Sequence, residues 1–144
     1  MPNATDIIVA DAEFLSFLPD IGLSSPIGQA VAALCAAKRL VTTVDAKRHA
    51  ESAYQAVVNS SLYQTIPAEP TSRIRRAMAK TLANQAPAKL MTRHAGITEL
   101  IVVAAALEKQ AGIVTSGSGH SYYTNFSPPL GLYVFVQSDL PNLV

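Results

Sequence analysis

The chain has 144 residues, a formal net charge of +1, 49% hydrophobic residues and only 15% charged residues. This length allows one hydrophobic core and excludes two, so the sequence predicts a single domain over residues 1–144. The single cysteine, Cys35, excludes an internal disulfide and a thiolate zinc site, and the longest apolar run, residues 100–107, is too short to span a membrane. The first residues lack the pattern of a signal peptide, which favours a cytosolic compartment.

Four helices are predicted between residues 25 and 110. Ser25 can cap the first of them, because Pro26 fits its first turn. The fourth is apolar nearly all round, which indicates burial on several sides. The predicted helices cover about residues 25–38, 42–59, 71–86 and 93–110.

Four short apolar segments can be read either as strands or as parts of helices and loops. If they are strands that alternate with helices, they favour an α/β sandwich. If they are not, the chain is an all-α four-helix bundle with irregular termini. The segments are residues 7–9, 40–44, 113–115 and 133–136.

The charges are unevenly distributed along the chain. Residues 71–97 contain six basic residues and no acid, whereas the rest of the chain contains five basic residues and ten acids. A basic stripe without interleaved acids is typical of a surface that neutralises phosphates. Charge alone therefore assigns RNA binding to Arg73, Arg75, Arg76 and Lys80, of which Arg73, Arg76 and Lys80 share one helical face.

Histidine ligands for a metal are not predicted. His49, His94 and His120 are dispersed and have no ligand spacing between them. The histidines therefore give no reason to predict a bound metal, and no cofactor is predicted from them.

Two carboxylates beside apolar runs suggest a nuclease. Asp11 follows the run at residues 7–9, and Glu99 opens the segment ELIVVAAALEKQAGIVTS. These blocks resemble the first and third acidic motifs of PIN-domain ribonucleases, with Asp45 or Glu51 as the middle acid. The resemblance implies a three-layer α/β sandwich in which carboxylates hold Mg²⁺ for RNA cleavage.

The nuclease resemblance assigns the catalytic role to Asp11, Asp45 and Glu99. It departs from the family pattern where an acid is expected just after Thr115, because Ser116 stands there. The chain is then a toxin-type endoribonuclease or a degenerate relative, in a bacterial or archaeal cytoplasm.

A second resemblance begins at the C-terminal part of the chain. The segment SYYTNF at residues 121–126, followed by Gly131 and Leu132, resembles the closing motif of rod-shaped plant virus coat proteins of the tobamovirus and tobravirus kind. Residues 13–18 and 43–54 resemble the first two helices of that family. Residues 84–93 resemble the approach to its long RNA-facing helix.

The coat-protein resemblance implies a four-helix bundle that assembles into a helical rod around single-stranded RNA, in the virion and the host cytoplasm. It implies a structural, self-assembling capsid protein that is not an enzyme, binds the RNA backbone and needs no membrane. Arg93 matches the RNA-facing arginine of the family. The subunit interface is assigned to Tyr122, Phe126, Gly131 and Leu132.

The two hypotheses differ in their expected responses to mutation. The coat-protein hypothesis predicts that Arg93→Ala weakens RNA packaging and that Phe126→Ala weakens assembly. The nuclease hypothesis predicts that Asp11→Asn and Glu99→Gln abolish Mg²⁺-dependent cleavage. The coat-protein hypothesis is favoured at this point, and both stay open.

Overall fold

A parallel β-sheet forms the centre of the molecule. The computed structural model describes residues 7–85, 97–116, 123 and 132–144. Within these residues, five strands form one sheet in the order β3-β2-β1-β4-β5, and every neighbouring pair is parallel. The strands are β1 (Ile8–Ala10), β2 (Leu40–Thr43), β3 (Ala68–Glu69), β4 (Gly112–Thr115) and β5 (Val134–Val136).

Helices connect successive strands. In the described residues, α1 and α2 lie between β1 and β2, α3 and α4 between β2 and β3, and α5 and α6 between β3 and β4. Short 3-10 helices cover Leu18–Asp20, Gln55–Asn59 and Gln137–Asn142. The α-helices are α1 (Ala12–Phe17), α2 (Pro26–Ala36), α3 (Val44–Ala53), α4 (Ser61–Thr65), α5 (Arg73–Gln85) and α6 (Ile97–Lys109).

The predicted all-α four-helix bundle is wrong. The segments that could be read as strands do form strands, and a further strand, β3, joins them in the sheet. The bundle was implied by the coat-protein resemblance, and helix or loop stayed open for the apolar segments because each strand has only two to four residues. Strands buried on both faces also lack the alternation of polar and apolar residues that marks an exposed sheet. The α/β arrangement is the one that the alternative interpretation predicted.

The helices cover both faces of the sheet. Right-handed crossovers between parallel strands put α1 to α4 on one face and α5 and α6 on the other. The contacts agree, since α1 packs against α3 and α5 packs against α6. Within the described ranges, no helix is long and apolar enough to cross a membrane.

The apolar helix α6 is buried within the single chain. It packs on β1, β2 and β4 and is covered by α5, and it also contacts α3. Its residues from Leu100 to Ala106 are at most 1% exposed. The predicted burial on several sides is therefore provided by the sheet and α5 of the same chain.

Side-chain caps fix where three of the helices begin. The hydroxyl of Ser25 accepts a hydrogen bond from the Gly28 amide at 3.1 Å, and that of Thr43 accepts one from Ala46 at 3.0 Å. Ser72 accepts one from the Arg75 amide at 3.1 Å. These contacts confirm the cap predicted at Ser25 and agree with the helix starts predicted at about residues 42 and 71.

The close approach of Gly28 to the preceding loop gives a first testable prediction. A Cβ at Gly28 would lie 2.1 Å from the carbonyl oxygen of Gly22 and 3.0 Å from that of Leu23. We expect Gly28→Ala to lower the free energy of unfolding by about 2 kcal/mol, although alanine favours helix, because backbone atoms must move. Urea denaturation of the variant measures this loss.

The matched control is Gly22→Ala, since a Cβ at Gly22 meets no atom within 4 Å. We expect that variant to unfold within about 0.5 kcal/mol of the parent protein. Equal stability of both variants would show that the contact between Gly28 and the loop does not constrain the fold.

Candidate functional site

The candidate site lies at the carboxyl ends of β1 and β4. The chain leaves β1 toward one face of the sheet, and the crossover rule takes it from β4 toward the other. Such a switch point opens a crevice outside the carboxyl ends of the strands, where α/β proteins commonly bind ligands. Asp11 follows β1 directly and Ser116 follows β4, so both lie at the strand ends where such a crevice is expected.

Asp11 is the central polar residue of the crevice. Its Oδ1 accepts a hydrogen bond from the Phe14 amide at 2.8 Å, which caps α1. Its Oδ2 accepts one from Thr115 Oγ1 at 2.7 Å, which links the ends of the two strands. The side chain is buried, with only 3% of Asp11 exposed.

Burial dominates the ionisation of Asp11. Desolvation raises the pKa of this carboxyl to about 7, against an ordinary value of 3.8. Hydrogen bonds from Phe14, Thr115 and Tyr123 oppose this rise, and the nearby charge of Glu13 adds to it. Asp11 therefore keeps its proton over most of the acidic range and is about half ionised near neutral pH.

Sequence reasoning identified Asp11 but missed two of its partners. Thr115 ends the apolar run of β4, and its role depends on the pairing of β4 with β1. Tyr123 belongs to the segment that resembles the coat-protein motif, whereas its side chain is fully buried and lowers the pKa of Asp11. A polar residue at the end of a buried strand is the signal that could have indicated Thr115.

The other predicted acids lie at the same edge of the sheet but have different environments. Glu99 is 6% exposed and lies in the first turn of α6. Asp45 lies in the first turn of α3, where it accepts a hydrogen bond from Thr71 and has Arg76 Nη2 3.9 Å away. Asp45 thus joins the starts of α3 and α5.

Glu51, the alternative middle acid, lies further along α3. It accepts a hydrogen bond from the hydroxyl of Tyr63. This contact ties α3 to α4.

Within the described residues, the acids of the nuclease resemblance are not gathered into one Mg²⁺ site. Both oxygens of Asp11 already accept hydrogen bonds from protein donors. Ser116 is buried where the family has an acid, and its hydroxyl has no hydrogen-bond partner within the described part of the chain. Among residues 7–85, 97–116, 123 and 132–144, no group of three or more His, Cys, Asp or Glu side chains could hold a metal ion.

The basic residues of α5 divide into one buried cation and three exposed ones. Arg75 is 5% exposed, and its Nη2 lies 3.2 Å from Glu108 Oε1 and 3.5 Å from Glu69 Oε1. Nε and Nη2 of its guanidinium are paired inside the molecule, so burial disfavours the RNA contact assigned to Arg75 from charge alone, which stays a prediction. Arg75 joins β3, α5 and α6.

Arg73, Arg76 and Lys80 form the basic face of α5. All three are exposed, and 52% of the Arg76 side chain is accessible. Because α5 follows the carboxyl end of β3 and Arg76 approaches Asp45, the start of this basic face lies at the same edge of the sheet as the crevice. The shared face predicted from the spacing of these residues is confirmed.

The remaining predicted residues concern the coat-protein interface. Arg93, Tyr122, Phe126 and Gly131 lie outside the described residues. Leu132 is 6% exposed and belongs to the hydrophobic core of the single chain. Its side chain is therefore already covered without a second subunit.

The fold and the site together define an α/β protein with a polar switch-point crevice and a neighbouring basic helix. No protein-family model matches this chain, and no curated protein matches it.

Proposed function

We propose that this chain binds single-stranded RNA through the sugar-phosphate backbone, along the edge of the sheet where the strands end. The basic face of α5 supplies the cations, and Asp11 lies at the same end of the strands. The protein belongs, in this proposal, to the degenerate form of the nuclease hypothesis, so it binds RNA without Mg²⁺-dependent cleavage.

The exposed basic face carries the proposal. Arg73, Arg76 and Lys80 project from one side of a single helix and are accessible to a long ligand. Of these, Arg76 approaches one acid, Asp45, at 3.9 Å, which is too long for a strong ion pair. Exposed arginines that are not tightly paired can each bind phosphate through two parallel hydrogen bonds.

The crevice supports binding better than cleavage. A nuclease of the resembled kind needs several carboxylates directed at one metal ion, whereas Asp11 is bonded to Thr115 and Phe14, and Ser116 replaces an acid. A carboxyl with a pKa of about 7 is also half protonated at neutral pH, so it repels RNA phosphates less than an ordinary aspartate does.

The coat-protein hypothesis shares the RNA ligand but requires a different architecture. The four-helix bundle that it implies is replaced by an α/β sandwich in the described chain. Self-assembly into rods stays a prediction, which electron microscopy of the protein with and without RNA would test.

The experiment compares RNA affinity between the parent protein and a variant with Arg73→Gln, Arg76→Gln and Lys80→Gln. Fluorescence anisotropy with a short labelled single-stranded RNA gives Kd at several salt concentrations. We expect the variant to bind about tenfold or more weakly at low salt. We also expect the slope of log Kd against the logarithm of the salt concentration to be smaller by about 2 in the variant, because three phosphate contacts are lost.

The matched control for charge is Lys38→Gln. Lys38 is exposed and lies just before β2, at the opposite edge of the sheet. This substitution should leave RNA affinity unchanged, and an equal loss in both variants would contradict the proposed surface. Cleavage of the RNA in Mg²⁺ that is abolished by Asp11→Asn would contradict the degenerate assignment.

A further inference from the structure

We infer that a polar cleft beside the basic face binds the terminal phosphomonoester of an RNA strand. This inference rests on the proposed function and adds the part of the RNA that the cleft takes. The cleft has a volume of about 310 Å³ and is lined by Asp45, Arg48, His49, Ser52 and Thr98.

The lining residues form a continuous polar stripe. Asp45, Arg48, His49 and Ser52 follow each other along α3 at spacings of three, one and three residues, which puts them on one helical face. Thr98, near the start of α6, closes the other side. Each lining side chain carries a hydrogen-bonding group, which matches a small polar ligand and not an apolar one.

The donors of the cleft fit an anion, while its two formal charges, on Asp45 and Arg48, balance each other. The one acid of the lining, Asp45, accepts a hydrogen bond from Thr71 and has Arg76 nearby, so its charge is partly offset. Arg48 is exposed and its guanidinium can grip two oxygens of one phosphate group. Ser52, Thr98 and His49 provide further donors around the same space.

The position of the cleft indicates where this phosphate comes from. Arg76 belongs to the basic face of α5 and approaches Asp45, which lines the cleft, so the two surfaces are continuous. A strand that follows the basic face can therefore end in the cleft. A terminal phosphomonoester carries more charge and more free oxygens than an internal phosphodiester, and such a group matches a pocket that has several donors.

The experiment uses one RNA sequence with four kinds of ends: a 5′-phosphate, a 3′-phosphate, both phosphates, or hydroxyls only. Fluorescence anisotropy of an internally labelled strand gives Kd for each of them. We expect either the 5′-phosphorylated or the 3′-phosphorylated RNA to bind about tenfold more tightly than the hydroxyl-ended RNA. The RNA that shows this gain identifies which end of the strand the cleft binds.

Two variants test whether the cleft causes the preference. The preference is the ratio of Kd for hydroxyl-ended RNA to Kd for end-phosphorylated RNA. Arg48→Gln and His49→Gln should each reduce this ratio from about 10 toward about 1. Both should leave the affinity for hydroxyl-ended RNA within about twofold, since that affinity depends on α5. Lys38→Gln serves as the control and should retain the full preference.

The outcomes separate this inference from the proposed function. If hydroxyl-ended RNA binds and neither phosphorylated end improves its affinity, the cleft is not a phosphate site and only this inference fails. A preference that survives both cleft variants also overturns it. If hydroxyl-ended RNA does not bind at all, the proposed function fails as well.

Discussion

The Asp11→Asn variant should be more stable than the parent protein at pH 8, and its advantage should shrink as the pH falls. Asparagine can cap α1 as aspartate does, but it carries no charge that must be buried. The pKa of Asp11 is about 7 in the folded chain and 3.8 ordinarily, so the folded state holds its proton more tightly than the unfolded state. The contribution of Asp11 to the free energy of unfolding therefore becomes more favourable as the pH falls from about 7 toward about 4.

The expected size follows from the same two pKa values. When the pH rises from about 5 to about 8, ionisation of Asp11 should lower the free energy of unfolding of the parent protein by about 2–3 kcal/mol. The variant should not show this loss. Urea denaturation of both proteins at the two pH values measures the difference, and contributions from other titrating groups cancel in the comparison. A variant advantage that is the same at both pH values would contradict the assignment of this pKa to Asp11.

Arg75→Met should destabilise the fold by about 2 kcal/mol while leaving RNA affinity unchanged. The methionine retains the apolar stem of the arginine, but it loses the hydrogen bonds to Glu69 and Glu108. The cost is smaller than for a fully buried pair, because Glu108 is about half exposed and Glu69 keeps Lys109 Nζ at 2.7 Å. Urea denaturation and RNA titration of the same preparation measure both effects.

Arg73→Met on the same helix is the matched comparison, and the opposite result is expected. Because Arg73 is exposed, the free energy of unfolding of this variant should change by less than about 0.5 kcal/mol. Its RNA affinity should fall. If Arg75→Met weakens RNA binding as much as Arg73→Met does, without loss of stability, Arg75 is not the structural cation that its burial indicates.

These two arginines illustrate what charge patterns can and cannot predict. Both arginines lie in the segment that contains no acid, residues 71–97, and this pattern indicates a basic surface. The helical spacing of Arg73, Arg76 and Lys80 puts these three residues on one face of α5. Arg75 lies two residues from Arg73, so it points away from that face. Its two acidic partners come from β3 and α6, and only the tertiary structure brings them together.

The fold class was mispredicted for a related reason. β3 has two residues and lies between two prolines, so its sequence gives no strand signal, and it pairs with β2 at one end of the strand order. The apolar character of α6 was correctly recognised, but the sequence does not distinguish burial by a sheet from burial by other subunits.

The candidate site was partly predictable. The position of Asp11 after a short apolar run indicated a carboxylate at the end of a strand, and the structure puts it there. Its bond to Thr115 joins residues 104 positions apart, which depends on the β1 and β4 pairing and not on any local pattern. The polar stripe of α3 does have a local signal in its helical spacing, and that spacing could have indicated the cleft.

The most direct test of the proposed RNA-binding edge is an NMR titration of isotopically labelled protein with single-stranded RNA. The account predicts that amide shifts concentrate at the start of α5, at the start of α3 and around Asp11, and that the Arg73, Arg76 and Lys80 triple variant loses them. Shifts that concentrate instead around Lys38 and the opposite edge of the sheet, or that are absent at RNA concentrations well above those of the protein, would contradict it.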